Sequence, residues 1–126
     1  MTPRDLTYKL YIGRSGGGDA ARARLLALLQ ARPGFRFLDL SLAPEASAAE
    51  VRRRMRAADA VLLLLAKDAG EERELALARA LGRPVIGVSP AGERAAPPAV
   101  RRLADEVVGM DAELVVDSIR QYALPS

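Results

Sequence analysis

The chain has 126 residues, half of them hydrophobic, with 19 Lys and Arg against 16 Asp and Glu and a formal net charge of +3. Residues 1–126 therefore read as a single domain, long enough for a proper core. The absence of Cys and His excludes Cys-rich zinc sites, imidazole ligands, His general bases, Ser–His and Cys–His nucleophiles and disulfides.

In chain order, residues 1–6 are a lead-in and residues 7–12 a first strand, with Tyr8, Leu10 and Ile12 as its apolar alternation. The strand runs into Gly13-Arg14-Ser15-Gly16-Gly17-Gly18-Asp19. Such a loop permits positive φ and close approach of backbone to a ligand. Its glycines do not follow G-x-G-x-x-G, and it lacks the Gly-Lys-Ser/Thr of a P-loop. A phosphate cradle and a plain strand-to-helix turn both fit. Asp19 is placed to cap a helix over residues 20–31 that buries Ala21, Leu25, Leu28 and Leu29.

Pro33-Gly34 breaks the chain, and residues 35–40, FRFLDL, alternate as an edge strand does. After a loop over 41–46, Ser47 and Glu50 form a capping-box pattern for a helix reaching about residue 58. Val51, Met55 and Ala58 face inward on it. Arg52, Arg53 and Arg56 face outward, as a solvated surface or a weak site for an anionic partner; with no interleaved aromatics for stacking on bases, no DNA partner is expected.

The central stretch is DAVLLLLAKDAGEERELALARALGRPVIGV, residues 59–88. Residues 60–66 are apolar without alternation, the pattern of a parallel strand covered on both faces. A polar loop, 67–70, leads to a helix over 71–81 with Glu71, Glu72 and Glu74 in its first turn, where carboxylates suit the helix dipole. Gly82 ends the helix at C′, and Pro84 opens a second buried strand over 84–88. The remainder reads as a Pro/Gly-rich loop, a helix over 98–104, a strand over 106–108, and a helix over 112–122 capped by Asp111. Its buried stripe is Val115, Ser118, Ile119 and Tyr122.

Five strands alternating with five helices predict an α/β sandwich: a five-stranded parallel sheet of order 2-1-3-4-5, flavodoxin-like, with helices on both faces. Ligands of such sheets bind beyond the carboxyl ends of the strands, at the switch between strands one and three. Glu74 shares a stripe with Leu77, Ala78 and Leu81 and is aimed at that crevice. It is a functional carboxylate, a complement to the helix dipole, or the partner of a neighbouring Arg. Lys67 and Asp68 share the rim with Gly13, Arg14, Ser15, Gly16, Gly17 and Asp19 as candidate substrate-binding residues. No metal site is expected. The N-terminus MTPRDLTYKL has no apolar signal core, and no run approaches the ~20 apolar residues of a span. A cytoplasmic protein with no membrane partner is therefore expected.

Four segments in order resemble bacterial TIR domains, more narrowly the TIR-like subfamily that includes the Thoeris anti-phage sensors. KLYIGRSGGGD resembles the opening strand and loop, and RRRMRAADAVLLLLAKD the helix and third strand. ERELALARALGRPVIGV resembles the W-E-I-x-x-A-x-x-x-G-K-P-I-I-G-V segment, and PPAVRRLADEVVGMDAELVVDSIR the closing A-D-E-V-V-G-W strand and helix. The resemblance implies an immune-signalling domain that cleaves the nicotinamide–ribose bond of NAD, by hydrolysis or cyclisation. NAD would be substrate rather than cofactor, and the catalytic carboxylate would be Glu74, since Glu74, Ala78 and Gly82 match the family's Glu, Ala and Gly. It also implies self-association through TIR–TIR contacts and an effector protein as partner. Arg73 stands where the family has Trp, the loop after strand three is shortened, and residues 13–18 carry no aromatic. Those departures keep open a non-catalytic TIR–TIR interaction module. The segment AADAVLLLLA followed by E-x-x-x-A-x-x-x-G-R-P-V-I-G-V also resembles nucleoside 2-deoxyribosyltransferases, which break an N-glycosidic bond with a Glu on the same crevice.

Overall fold

A computed structural model describes residues 7–13, 18–41, 46–65, 71–90 and 98–123, with the side chains at 18, 19, 71–73 and 99 excepted. Its strands are β1 (Thr7–Gly13), β2 (Arg36–Asp39), β3 (Ala60–Leu64), β4 (Val85–Ser89) and β5 (Glu106–Gly109). Its helices are α1 (Gly18–Ala31), α2 (Ala48–Ala57), α3 (Glu71–Ala80), α4 (Pro98–Leu103) and α5 (Ala112–Tyr122). All pairings are parallel and the order is β2-β1-β3-β4-β5, as the alternation of elements predicts.

Every residue of β3 and of β4 is buried. The reason lies in the layers above and below. Ala60, Leu62 and Leu64 join Leu10, Ile12, Leu25, Leu29, Val115 and Ile119 on the face covered by α1 and α5. Val61 and Leu63 join Tyr11, Met55, Leu75, Ala78 and Val100 on the face covered by α2, α3 and α4. Each of these Leu, Ile, Val and Met side chains contributes about 1.5–3 kcal/mol by leaving water. β2 is an edge strand with Leu38 exposed, as its alternation implies. Among the described residues no helix is long and apolar enough to cross a membrane.

The helix termini follow their sequence signals, with corrections. Asp111 caps α5 by accepting from the Glu113 and Leu114 amides. Ser47 caps α2 by accepting from the Glu50 amide, while its hydroxyl donates to Glu50 Oε1 at 3.3 Å. Gly82, at φ 70°, ends α3 in a Schellman motif: its own N–H reaches the Arg79 carbonyl and the Arg83 N–H reaches that of Ala78. Asp19 is not an N-cap. The helix starts two residues earlier than expected, at Gly18, and Asp19 lies within its first turn. On α5, Val116 is buried where Tyr122 was expected, and Tyr122 is half-exposed.

At the amino end of the sheet, two aspartates that directly precede strands perform the same task. The Asp59 N–H donates to the Lys9 carbonyl at 2.6 Å, and its Oδ2 accepts the Lys9 N–H at 2.8 Å. The Asp105 N–H donates to the Val85 carbonyl at 2.8 Å, and its Oδ2 accepts the Val85 N–H at 2.7 Å and Arg79 at 2.8 Å. Each carboxylate thus completes a rung that a strand end would leave open.

Asp59 is buried, so Asp59→Ala strands the Lys9 amide away from water and should cost about 1–3 kcal/mol. Urea denaturation of Asp59→Ala beside Asp117→Ala, an exposed α5 control, checks this; the control should stay within about 0.5 kcal/mol of the parent.

Candidate functional site

The strand order puts β1 and β3 side by side while the chain leaves β1 towards β2 on the other flank. The carboxyl ends of β1 and β3 are therefore the topological switch point, where the sheet opens a crevice. Gly13 is the last residue of β1 and pairs with Leu63 of β3.

Glu74 reaches this point from α3. It is the fourth residue of that helix, so its carboxylate stands near the positive helix end. A Cβ placed on Gly13 would lie 3.2 Å from each of the two Glu74 carboxylate oxygens and 2.5 Å from Leu63 Cδ2. The carboxylate and Leu63 thus close directly over the backbone at the end of β1. Gly13 does not have positive φ, so what glycine supplies here is the missing side chain rather than a left-handed conformation. Glu74 is half-buried and has polar company within the protein. The inner line of α3 is Leu75 and Ala78, with Leu77 and Leu81 on its flank. The stripe predicted for Glu74 is therefore rotated by about one residue, and Glu74 stands at the border between core and crevice. That position suits a functional carboxylate better than the centre of an apolar stripe would.

Of the other predicted site residues, Gly13 lies at the crevice, and Asp19 is in the first turn of α1 above it. Arg14, Ser15, Gly16, Gly17, Lys67 and Asp68 lie outside the described residues, as do the side chains of Glu71 and Glu72. The predicted outward basic face is present: Arg52, Arg53 and Arg56 are exposed, and Arg54 is exposed beside them. Among the described residues no group of three or more Asp and Glu is arranged to hold a metal ion.

The structure adds residues to this rim that sequence reasoning missed. Ser41, just beyond β2, accepts the Ile12 N–H on its hydroxyl at 3.1 Å. Its own N–H and hydroxyl both donate to Asp39 Oδ1, and Arg22 of α1 donates to Asp39 Oδ2 at 2.6 Å. The available signal was the Asp-x-Ser at the end of FRFLDLS, a spacing that favours a turn in which Asp accepts from the backbone two residues on.

No protein-family model and no curated protein sequence matches the chain. Solved structures share its fold. A CMP N-glycosidase of Clostridium botulinum is similar with a TM-score of 0.58 and 11% identity, over 90% of this chain and 98% of that one. A 2-deoxyribosyltransferase of Bacillus psychrosaccharolyticus is similar with a TM-score of 0.57 and 16% identity, over 94% of this chain and 98% of that one. At these identities the likeness establishes the flavodoxin-like α/β fold.

Gly13→Ala forces Leu63 and the Glu74 carboxylate apart and should cost about 1–3 kcal/mol as overpacking. Leu63→Ala removes the nearest obstacle, so Gly13→Ala made in that background should cost measurably less. A double-mutant cycle by urea denaturation should give a coupling of about 0.5–3 kcal/mol.

Proposed function

We propose that the protein cleaves the N-glycosidic bond of a nucleoside or nucleotide, with Glu74 as the carboxylate that meets the sugar at C1′. The observation that carries this reading is the Glu74 carboxylate lying over Gly13 at the β1–β3 switch point. The folds of a CMP N-glycosidase and a 2-deoxyribosyltransferase support the substrate class.

The chemistry asks for little more than such a carboxylate. As the C1′–N bond breaks, its electron pair leaves with the base and positive charge develops on the ribose ring. A preorganised carboxylate at the positive end of a helix opposes that charge without reorganisation. If a Glu74 oxygen bonds to C1′, the product is a glycosyl ester, which water or a second base then displaces from the opposite face. In hydrolysis the water supplies hydroxyl to C1′ and a proton to the departing base. The absence of His removes one familiar proton donor, so a base that leaves readily from its neutral form is favoured.

The nicotinamide–ribose bond of NAD, expected from the TIR resemblance, belongs to the same bond class. One substrate panel separates the two: ribo- and deoxyribonucleosides, their 5′-monophosphates and NAD, with free base followed by chromatography. Base release from a nucleoside or its monophosphate is expected, with Glu74→Gln slower by about 10²–10³, the scale of losing one preorganised electrostatic contact. Glu113→Gln, an exposed control on α5, should match the parent. Cleavage of NAD alone would replace nucleosides with NAD as the substrate. No release from any member, or full activity in Glu74→Gln, would overturn the reading.

A further inference from the structure

We infer that Ser41 is a positioning residue for the Glu74 site: its hydroxyl fixes the free end of β1, and through Gly13 the backbone on which the Glu74 carboxylate rests. This rests on the reading of Glu74 given above.

The argument begins with unequal strand lengths. β2 ends at Asp39, paired with Leu10, while β1 continues through Tyr11, Ile12 and Gly13. The Leu40 N–H still donates to the Leu10 carbonyl at 2.8 Å. Residues 8, 10 and 12 present their polar backbone groups to β2, so the next rung falls to the Ile12 N–H. Ile12 is 1% exposed, and its amide has no access to water as a substitute. The Ser41 hydroxyl occupies that rung at 3.1 Å. On the other flank, Gly13 is held by β3. Among the described residues, the last two residues of β1 are therefore gripped from both sides, one side by a strand and the other by the Ser41 side chain.

Ser41 is in turn oriented. Its hydroxyl proton goes to Asp39 Oδ1, which leaves an oxygen lone pair facing Ile12. Asp39 Oδ2 is held by Arg22 from α1, the helix that follows β1 in the chain. Both Asp39 oxygens and the Ser41 donor are thus engaged inside the protein. An acidic residue after the second strand of a nucleotide-binding sheet commonly meets a ribose hydroxyl. Here that carboxylate is already engaged by Ser41 and Arg22, so the cluster acts on the site through β1. Since an added Cβ on Gly13 would lie only 3.2 Å from each Glu74 carboxylate oxygen, a small displacement of the β1 end moves the contact surface of the carboxylate.

The test combines exchange, NMR and kinetics on the full chain with Ser41→Ala and the hydroxyl-preserving Ser41→Thr. In Ser41→Ala the Ile12 amide should exchange about fivefold faster or more, the loss of one net hydrogen bond. The Glu74 side-chain carboxyl ¹³C signal should shift, while the Val107 amide on the far edge stays fixed. With the substrate identified by the panel, kcat should fall about 10- to 100-fold with KM within about twofold, the signature of misplacement rather than lost binding. Ser41→Thr should restore all three. If Ser41→Ala does not fold, Asp39→Asn removes the group that orients the hydroxyl and should move the same signals. An unmoved Glu74 signal, with or without faster Ile12 exchange, would overturn the inference by reducing Ser41 to a strand-end cap. If the parent releases no base but Ser41→Ala moves the Ile12 and Glu74 signals, the proposed activity falls and the positioning role stands.

Discussion

The structure depends on β3 being dry on both faces. A strand with five consecutive buried residues cannot lie at an edge or under water, so it demands a strand on each side and a helical layer above and below. The remaining elements meet that demand. β1 and β4 flank it, α1 and α5 seal the face of Leu62, and α2, α3 and α4 seal the face of Leu63. Because successive strands are parallel, each connection must cross from one end of the sheet to the other. That requirement separates the two ends of the molecule by role.

The amino end is closed by aspartates. Asp59 and Asp105 each complete a backbone rung just before a strand, and their carboxylates are spent on structure. The carboxyl end is where the connections to α1 and α3 leave. There the sheet order reverses, two neighbouring strands send their chains in opposite directions, and a gap opens that backbone alone does not fill. Glu74 stands at this gap, with Gly13 beneath it. The two ends therefore use the same residue class differently: at one a carboxylate satisfies backbone amides, at the other it borders a crevice.

The site is built from parts far apart in sequence, and its tolerance is small. Gly13 ends a strand, Leu63 comes from its neighbour, Glu74 from a helix, and Ser41 with Asp39 from the edge strand's exit. Among these, Gly13 leaves room for a side chain only if Leu63 shifts, and Ser41 replaces a rung that a longer β2 would have supplied. A short edge strand exposes less unpaired backbone, which limits edge-to-edge association. Among the described residues, it leaves the Ile12 amide at the end of β1 to the Ser41 hydroxyl.

Hydrophobic periodicity determined the element order, the parallel sheet, its strand order and the double-faced burial of β3 and β4, because an unbroken apolar run has few other stable placements. Local chemistry determined the caps at Ser47, Gly82 and Asp111, since capping depends on neighbours within a few residues. It failed at Asp19, where the helix took two more residues than the capping rule assigns. Glu74 could be singled out from its place in the first turn of α3, but its partner could not. That Gly13 serves by lacking a side chain, rather than by adopting positive φ, follows from the approach of α3 to the end of β1, a distance no local pattern encodes. The Arg22–Asp39–Ser41 cluster was hidden for the same reason. Its members are unremarkable polar residues in sequence, and only the mismatch in length between β1 and β2 in the assembled sheet leaves a buried amide for Ser41 to satisfy.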